Sequence, residues 1–120
     1  MPAPIVPTEI RIRRSTRALD VTFNDGTAAH LPAEYLRVES PSAEVQGHSP
    51  DQKVLVTGKQ EVNIAAVEPV GNYAIRIRFT DGHDTGIYAW TFLKLLSDEH
   101  GSRWESYLEQ LAKRGIVRQA

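Results

Sequence analysis

Ala18-Leu19-Asp20-Val21-Thr22-Phe23-Asn24-Asp25-Gly26 and Ala74-Ile75-Arg76-Ile77-Arg78-Phe79-Thr80-Asp81-Gly82 decide the fold. Each alternates apolar and polar residues with the period of a strand, then meets Asp-Gly, whose backbone accepts the positive φ angles of a tight hairpin turn. Thr27–Leu31 returns as the partner of the first run. Further along, Tyr35-Leu36 lines up with Phe92-Leu93 once one residue is inserted. Each copy reads as strand, tight turn, strand and short helix. Hairpin chemistry alone produces such a match, and that explanation is preferred to a duplication. Under either, the architecture is α+β: antiparallel β-sheet hairpins with short helices packed on one side and a C-terminal amphipathic helix.

The rest of the chain is built outward from these runs. Residues 1–7 carry three prolines and form an extended lead-in. Glu9–Arg13 alternates as a strand with one wet face. Pro32–Val38 reads as a short helix with Pro32 in its first turn, where a missing N–H does no harm. Glu39–Gln52, with two prolines, three serines, Gly47 and His48, is a loop of a length that is often functional. Lys53–Val56 and Val62–Glu68 read as strands, Gly71-Asn72 as a turn, and Ile87–Leu96 as a helix or a strand-to-helix passage. In the last helix, Ser102 and Glu105 have capping-box spacing, and Trp104, Tyr107, Leu108 and Leu111 share a face. Lys113 and Arg114 suit its negative end, and Gly115 offers a left-handed stop.

Composition narrows the function. The 120 residues suffice for one domain; 41% are hydrophobic and 24% charged, an ordinary globular balance. Fourteen basic residues against fifteen acidic ones leave a net charge of −1, so no overall field draws the chain to nucleic acid or to a membrane. Cysteine is absent, which excludes disulfides, thiolate catalysis and iron–sulfur ligation by this chain. The N-terminus lacks the layout of a signal peptide, and the expectation is a cytoplasmic protein.

Chemistry-bearing residues are few. His83 stands in Asp81-Gly82-His83-Asp84-Thr85-Gly86, a turn rich in groups that bind metals or anions. The simpler alternative is that Asp81 and Asp84 satisfy turn amides while His83 faces solvent or caps the next helix. His48 lies in the long loop, and His30 and His100 look incidental. No histidine pair has the i, i+4 spacing of a helical zinc site, and no His-x-Asp opens a facial iron triad. A nucleophile elbow and a glycine-rich phosphate loop are also missing. Two Ile-Arg-Ile-Arg runs (Ile10–Arg13 and Ile75–Arg78) would form a basic stripe if their strands were neighbours. Otherwise they form a solvated face paired with Glu9, Asp20 or Glu68.

Tyr73–Leu93 resembles the signature of the gamma-butyrobetaine hydroxylase-like N-terminal domain family. Leu31–Val45 is similar to the family's other hallmark, and with Val67–Gly71 the resemblance spans residues 8–97, leaving 98–120 as a helix packed on the same domain. The implied type is a stand-alone bacterial member. In the carnitine-biosynthesis hydroxylases the domain precedes an iron- and 2-oxoglutarate-dependent catalytic domain and holds zinc through three cysteines and a histidine. Those positions fall on Ser40, Ser42, Val45 and His83, so the resemblance implies a degenerate site with only His83 retained. It implies the fold and a loop closed by hydrogen bonds from Ser40 or Ser42 to His83. Without the metal, residues 39–52 are expected to be looser than in zinc-bearing relatives.

The expected function is a non-catalytic accessory domain that binds a partner protein through the 39–52 loop and the Asp81–Thr85 turn. The alternative is a metal (iron or zinc) or small-anion binder using His83 with His48, Asp81, Asp84 or Glu44. Under that alternative the protein is linked to iron or iron–sulfur metabolism. Related domains fused to iron–sulfur scaffold ATPases imply an accessory or docking role. No cofactor is expected under the first reading. The partner is an unidentified protein or a second copy of the chain, not nucleic acid or membrane.

Overall fold

The structure, a computed structural model, describes residues 4–47 and 53–118. Two antiparallel three-stranded sheets form in chain order: β1 (Pro7–Arg13), β2 (Ala18–Phe23) and β3 (Ala28–Pro32), then β4 (Ile64–Val70), β5 (Ala74–Phe79) and β6 (Gly86–Ala89). Each sheet leads directly into a helix, α1 (Ala33–Val38) after the first and α3 (Trp90–Asp98) after the second. A short helix, α2 (Ala43–Gln46), follows α1, and α4 (His100–Lys113) follows α3. The mixed α+β class and the C-terminal helix are as the sequence implies.

The likeness between Ala18–Gly26 and Ala74–Gly82 extends well beyond the hairpins. The Phe23 amide donates to the Thr27 carbonyl at 2.8 Å and the Phe79 amide to the His83 carbonyl at 2.9 Å. Gly26 and Gly82 hold φ at +87° and +91°, a region that L side chains rarely adopt. Asp25 Oδ1 accepts from the Thr27 amide and Asp81 Oδ1 from the His83 amide. The first amide of each helix is satisfied from just before the central strand of its own unit, Ala33 by the Arg17 carbonyl and Trp90 by the Tyr73 carbonyl. The chain therefore contains two units of the same order, each three strands and a helix.

The units are interlocked. Arg37 on α1 reaches Asp81 in the second hairpin turn at 2.8 Å, while Lys94 on α3 reaches Asp25 in the first at 3.5 Å. The Tyr35 hydroxyl on α1 donates to the Leu96 carbonyl on α3, and the Tyr88 hydroxyl on β6 donates to the Leu36 carbonyl on α1. One core draws on both: Leu19, Val21, Phe23, Leu31 and Leu36 pack in the same cluster as Ile64, Ile77, Phe79, Leu93 and Leu96. Burying each such side chain contributes roughly 1.5–3 kcal/mol, and because the cluster is shared each unit forms part of the other's interior.

Several details differ from the sequence reading. Lys53–Val56 is not a strand: it pairs with no sheet, and its Val56 carbonyl instead accepts the Tyr107 hydroxyl of α4. The Glu39–Gln52 region is not all loop, since α2 forms within it; residues 48–52, and with them His48, lie outside the described residues. Pro32 ends β3 and precedes α1 instead of entering its first turn. Ser102 does not cap α4, because α4 begins earlier, at His100, and the Ser102 hydroxyl donates to the Glu99 carbonyl within the helix. Gly115 does stop the helix: at φ +67° it lets its own amide reach the Ala112 carbonyl and that of Ile116 reach Leu111. The two Ile-Arg runs lie in different sheets. Their arginines pair locally, Arg11 with Glu9, Arg13 with Asp20, and Arg76 and Arg78 with Glu68. Among the described residues no helix is long and apolar enough to cross a membrane.

Candidate functional site

The two units differ in what covers their turns. Over the second turn the chain continues from α1 through Glu39–Gly47, and this segment brings Ser40, Ser42 and Glu44 onto the hairpin. Ser40 Oγ lies 2.8 Å from His83 Nε2, Ser42 Oγ lies 3.4 Å from the same nitrogen, and Glu44 Oε2 lies 3.2 Å from Nδ1. A carboxylate facing Nδ1 places the proton there, so Nε2 accepts from the Ser40 hydroxyl. His83 is buried, which overturns the expectation of a solvent-facing ring. Burial, and then the charge of Arg37, lower its pKa, against the opposing pull of Glu44 and Asp81. The ring is therefore neutral near pH 7.

Asp81 anchors the other side. Its carboxylate accepts from Arg37 Nε at 2.8 Å, Lys59 Nζ at 2.7 Å and the His83 amide at 3.1 Å. Burial works against its ionisation, but the hydrogen bonds from Lys59, the His83 amide and Arg37 prevail and hold its pKa at about 2. Gly86 is needed for close approach: a Cβ there would stand 2.7 Å from Ser40 Oγ and 3.0 Å from Tyr88 Cε1.

The structure thus brings together His83, Ser40, Ser42, Glu44 and Asp81, with Val45 buried in the same segment. Asp84 makes no hydrogen bond or ion pair in this group among the described residues. Sequence reasoning missed Arg37 and Lys59, the partners of Asp81. The alignment of Tyr35-Leu36 with Phe92-Leu93 held the signal for Arg37, since the next residues, Arg37 and Lys94, are both cations.

The order hydroxyl, imidazole, carboxylate is that of a catalytic triad, yet Ser40 is fully buried. The main surface clefts are lined by neither Ser40 nor His83. A nucleophile needs a reacting atom beside it, and none of these clefts reaches Ser40. The donor set also does not fit zinc: two neutral hydroxyls and an aliphatic stand with one imidazole whose Nε2 is engaged by Ser40. Among the described residues, no three His, Asp or Glu side chains cluster so as to hold a metal ion. The arrangement fastens Glu39–Gly47 to the second turn.

The comparisons with known proteins agree with this framework. Two proteins solved in solution by NMR are 40% and 44% identical to this chain. They superpose with TM-scores of 0.83 and 0.82, over 98% and 96% of this chain and 92% and 86% of theirs. A crystal structure of a protein of unknown function from Acidithiobacillus ferrooxidans, described as belonging to the DUF971 family, is 41% identical. It has a TM-score of 0.64 over 76% of this chain and 91% of that one. No curated protein matches. The model of the gamma-butyrobetaine hydroxylase-like N-terminal domain matches residues 10–94. The chain belongs to that family.

Proposed function

We propose that this protein is a non-catalytic accessory domain that binds a partner protein in the cytoplasm. Its contact surface is the 39–47 segment with the Asp81–Thr85 turn. The observation that carries this reading is the internal consumption of the site's chemistry. Ser40, Ser42, His83 and Asp81 spend their hydrogen bonds on one another and on neighbouring cations. What faces outward includes the exposed carboxylate of Glu44 and exposed Thr85. Such a surface suits recognition better than turnover.

A photo-crosslinking amino acid at Glu44 or Thr85, introduced into the protein in its native cell, should trap one discrete partner. The same group at Thr8, on the far sheet, should not. Equal trapping at all three positions would overturn the reading.

A second reading, a metal (iron or zinc) or small-anion site at His83, requires the ring to give up the Ser40 hydroxyl or the Glu44 carboxylate that now engage its two nitrogens. Elemental analysis of untagged protein purified without chelator tests it. About one equivalent of iron or zinc, lost in His83→Ala, would establish it over the first.

A further inference from the structure

A groove of about 300 Å³ runs between residues 53–56 and α4, and the His83 ring is not among its lining residues. Its floor is apolar: Val38, Leu55, Val56 and Tyr107 belong to a small satellite core. Its rim is not. Lys53 stands on one wall, Arg103 and Arg114 on the other, and Glu39 is the one carboxylate among the described lining residues. That carboxylate is already held by Arg103 at 2.8 Å, with Lys53 at 3.8 Å.

The charges along α4 and at Arg114 just after it are sorted by face. Arg103, Ser106, Tyr107, Gln110 and Arg114 line the groove, whereas Glu105 and Glu109 do not. The other wall carries unused backbone capacity. Residues 53–56 have no regular secondary structure, and the Leu55 amide and carbonyl have no backbone partner among the described residues. Val54 beside it is half exposed. The Val54 amide is held by the Val45 carbonyl and the Val56 carbonyl by the Tyr107 hydroxyl, which leaves the Leu55 peptide groups between them. Cationic walls, an apolar floor and these free Leu55 groups together describe a receptor for a peptide segment with carboxylates flanking apolar side chains.

We propose that this groove docks an acidic segment of a partner protein in which Asp or Glu alternates with Val or Leu. The segment's carboxylates would meet Lys53 and Arg114, and its apolar side chains would cover Leu55 and Val56. The proposal rests on the accessory-domain reading only in that the ligand is a protein, and its groove meets the 39–47 segment at Glu39 but includes none of the Asp81–Thr85 turn.

The test uses the whole ¹⁵N-labelled protein and three synthetic peptides: Asp-Val-Glu-Leu-Asp-Val-Glu-Leu, a version with Lys and Arg at the acidic positions, and one with Ser and Thr there. The acidic peptide should shift the amide signals of residues 53–56 and 103–114, more weakly as salt is raised, and the other two should not. Lys53→Glu and Arg114→Glu, both at exposed positions, should each weaken the acidic peptide by about fivefold or more. Their dispersed amide spectra would show that the fold is kept. Equal shifts from the basic peptide, shifts mapping to the sheets, or displacement by a single-stranded oligonucleotide would overturn it. Groove binding with no crosslinked partner at Glu44 or Thr85 would keep this proposal and remove the earlier surface. A partner captured at Glu44, with no response to the acidic peptide, would do the opposite.

Discussion

The Asn24–Thr27 and Thr80–His83 turns are built alike and finished differently. Both place glycine at a positive φ, both fold an aspartate back onto an amide two residues on, and both receive a cation from the helix of the other unit. At the first turn, position 27 is an exposed threonine and Lys94 divides itself between Asp25 and Asp98. At the second, position 83 is a buried histidine roofed by Ser40, Ser42 and Glu44, and Asp81 takes two cations. A scaffold used twice separates what the fold needs from what was added. The shared cation–aspartate contact is structural, and the serine–histidine roof is the addition.

The widest separation between the turns is expected from Asp81→Ala against Asp25→Ala. The first leaves Arg37 and Lys59 without their acceptor in a largely enclosed setting and should cost about 2–4 kcal/mol in urea unfolding. The second should cost clearly less; equal losses would break the comparison. Next is His83→Ala, expected to cost about 2 kcal/mol by stranding buried hydroxyls, whereas Thr27→Ala should be near neutral. Gly86→Ala should cost about 1–3 kcal/mol, because its methyl group would collide with Ser40 and Tyr88. As the common control, Gly26→Ala and Gly82→Ala should each lose about 1 kcal/mol and agree with one another, since both pay only for the left-handed backbone.

Acidity sharpens the contrast further. The folded pKa of His83 lies below its ordinary value of 6.5, so the unfolded chain binds the proton more readily. Its contribution to stability is complete above that value and is lost as pH falls through the folded pKa. His100, depressed by burial and by nearby His30, behaves in the same sense. Asp81 adds a separate loss as pH falls from its ordinary 3.8 towards about 2. His83→Gln should therefore flatten part of the stability decline below pH 6.5 while leaving the more acidic one. An unchanged profile between variant and parent would show that the ring carries no such linkage.

Most of the framework was legible because it is local. Asp-Gly after an alternating run specifies a hairpin, and both central strands lie where that pattern puts them. The elements that escaped are those decided by distant partners. Lys53-Val54-Leu55-Val56 has a strand's composition but meets α4 instead of a sheet edge. Ser102 has a cap's spacing, but the chain turns from α3 into α4 at Glu99 and makes the helix start sooner. His100, which looked incidental, stacks on Tyr35 with ring centres 4.4 Å apart. At the candidate site, His83, Ser40 and Ser42 could be singled out from the family hallmark. Burial could not be read there, because it depends on Glu39–Gly47 lying across the turn, an arrangement with no periodic signal.

The exchange of cations between units has a consequence for synthesis. A chain leaving the ribosome makes its first hairpin and α1 early, but the lysine that closes the first turn emerges some seventy residues after Asp25, by the numbering of the chain. Until then, Phe23 and Leu31 lack the part of their shared core that the second unit supplies, and the nascent product is a sticky fragment rather than a finished module. Order should arrive in a single late step, when the second helix drops onto the first hairpin. An arrest peptide placed downstream of residue 98 should feel a pulling force that one placed after residue 63 does not.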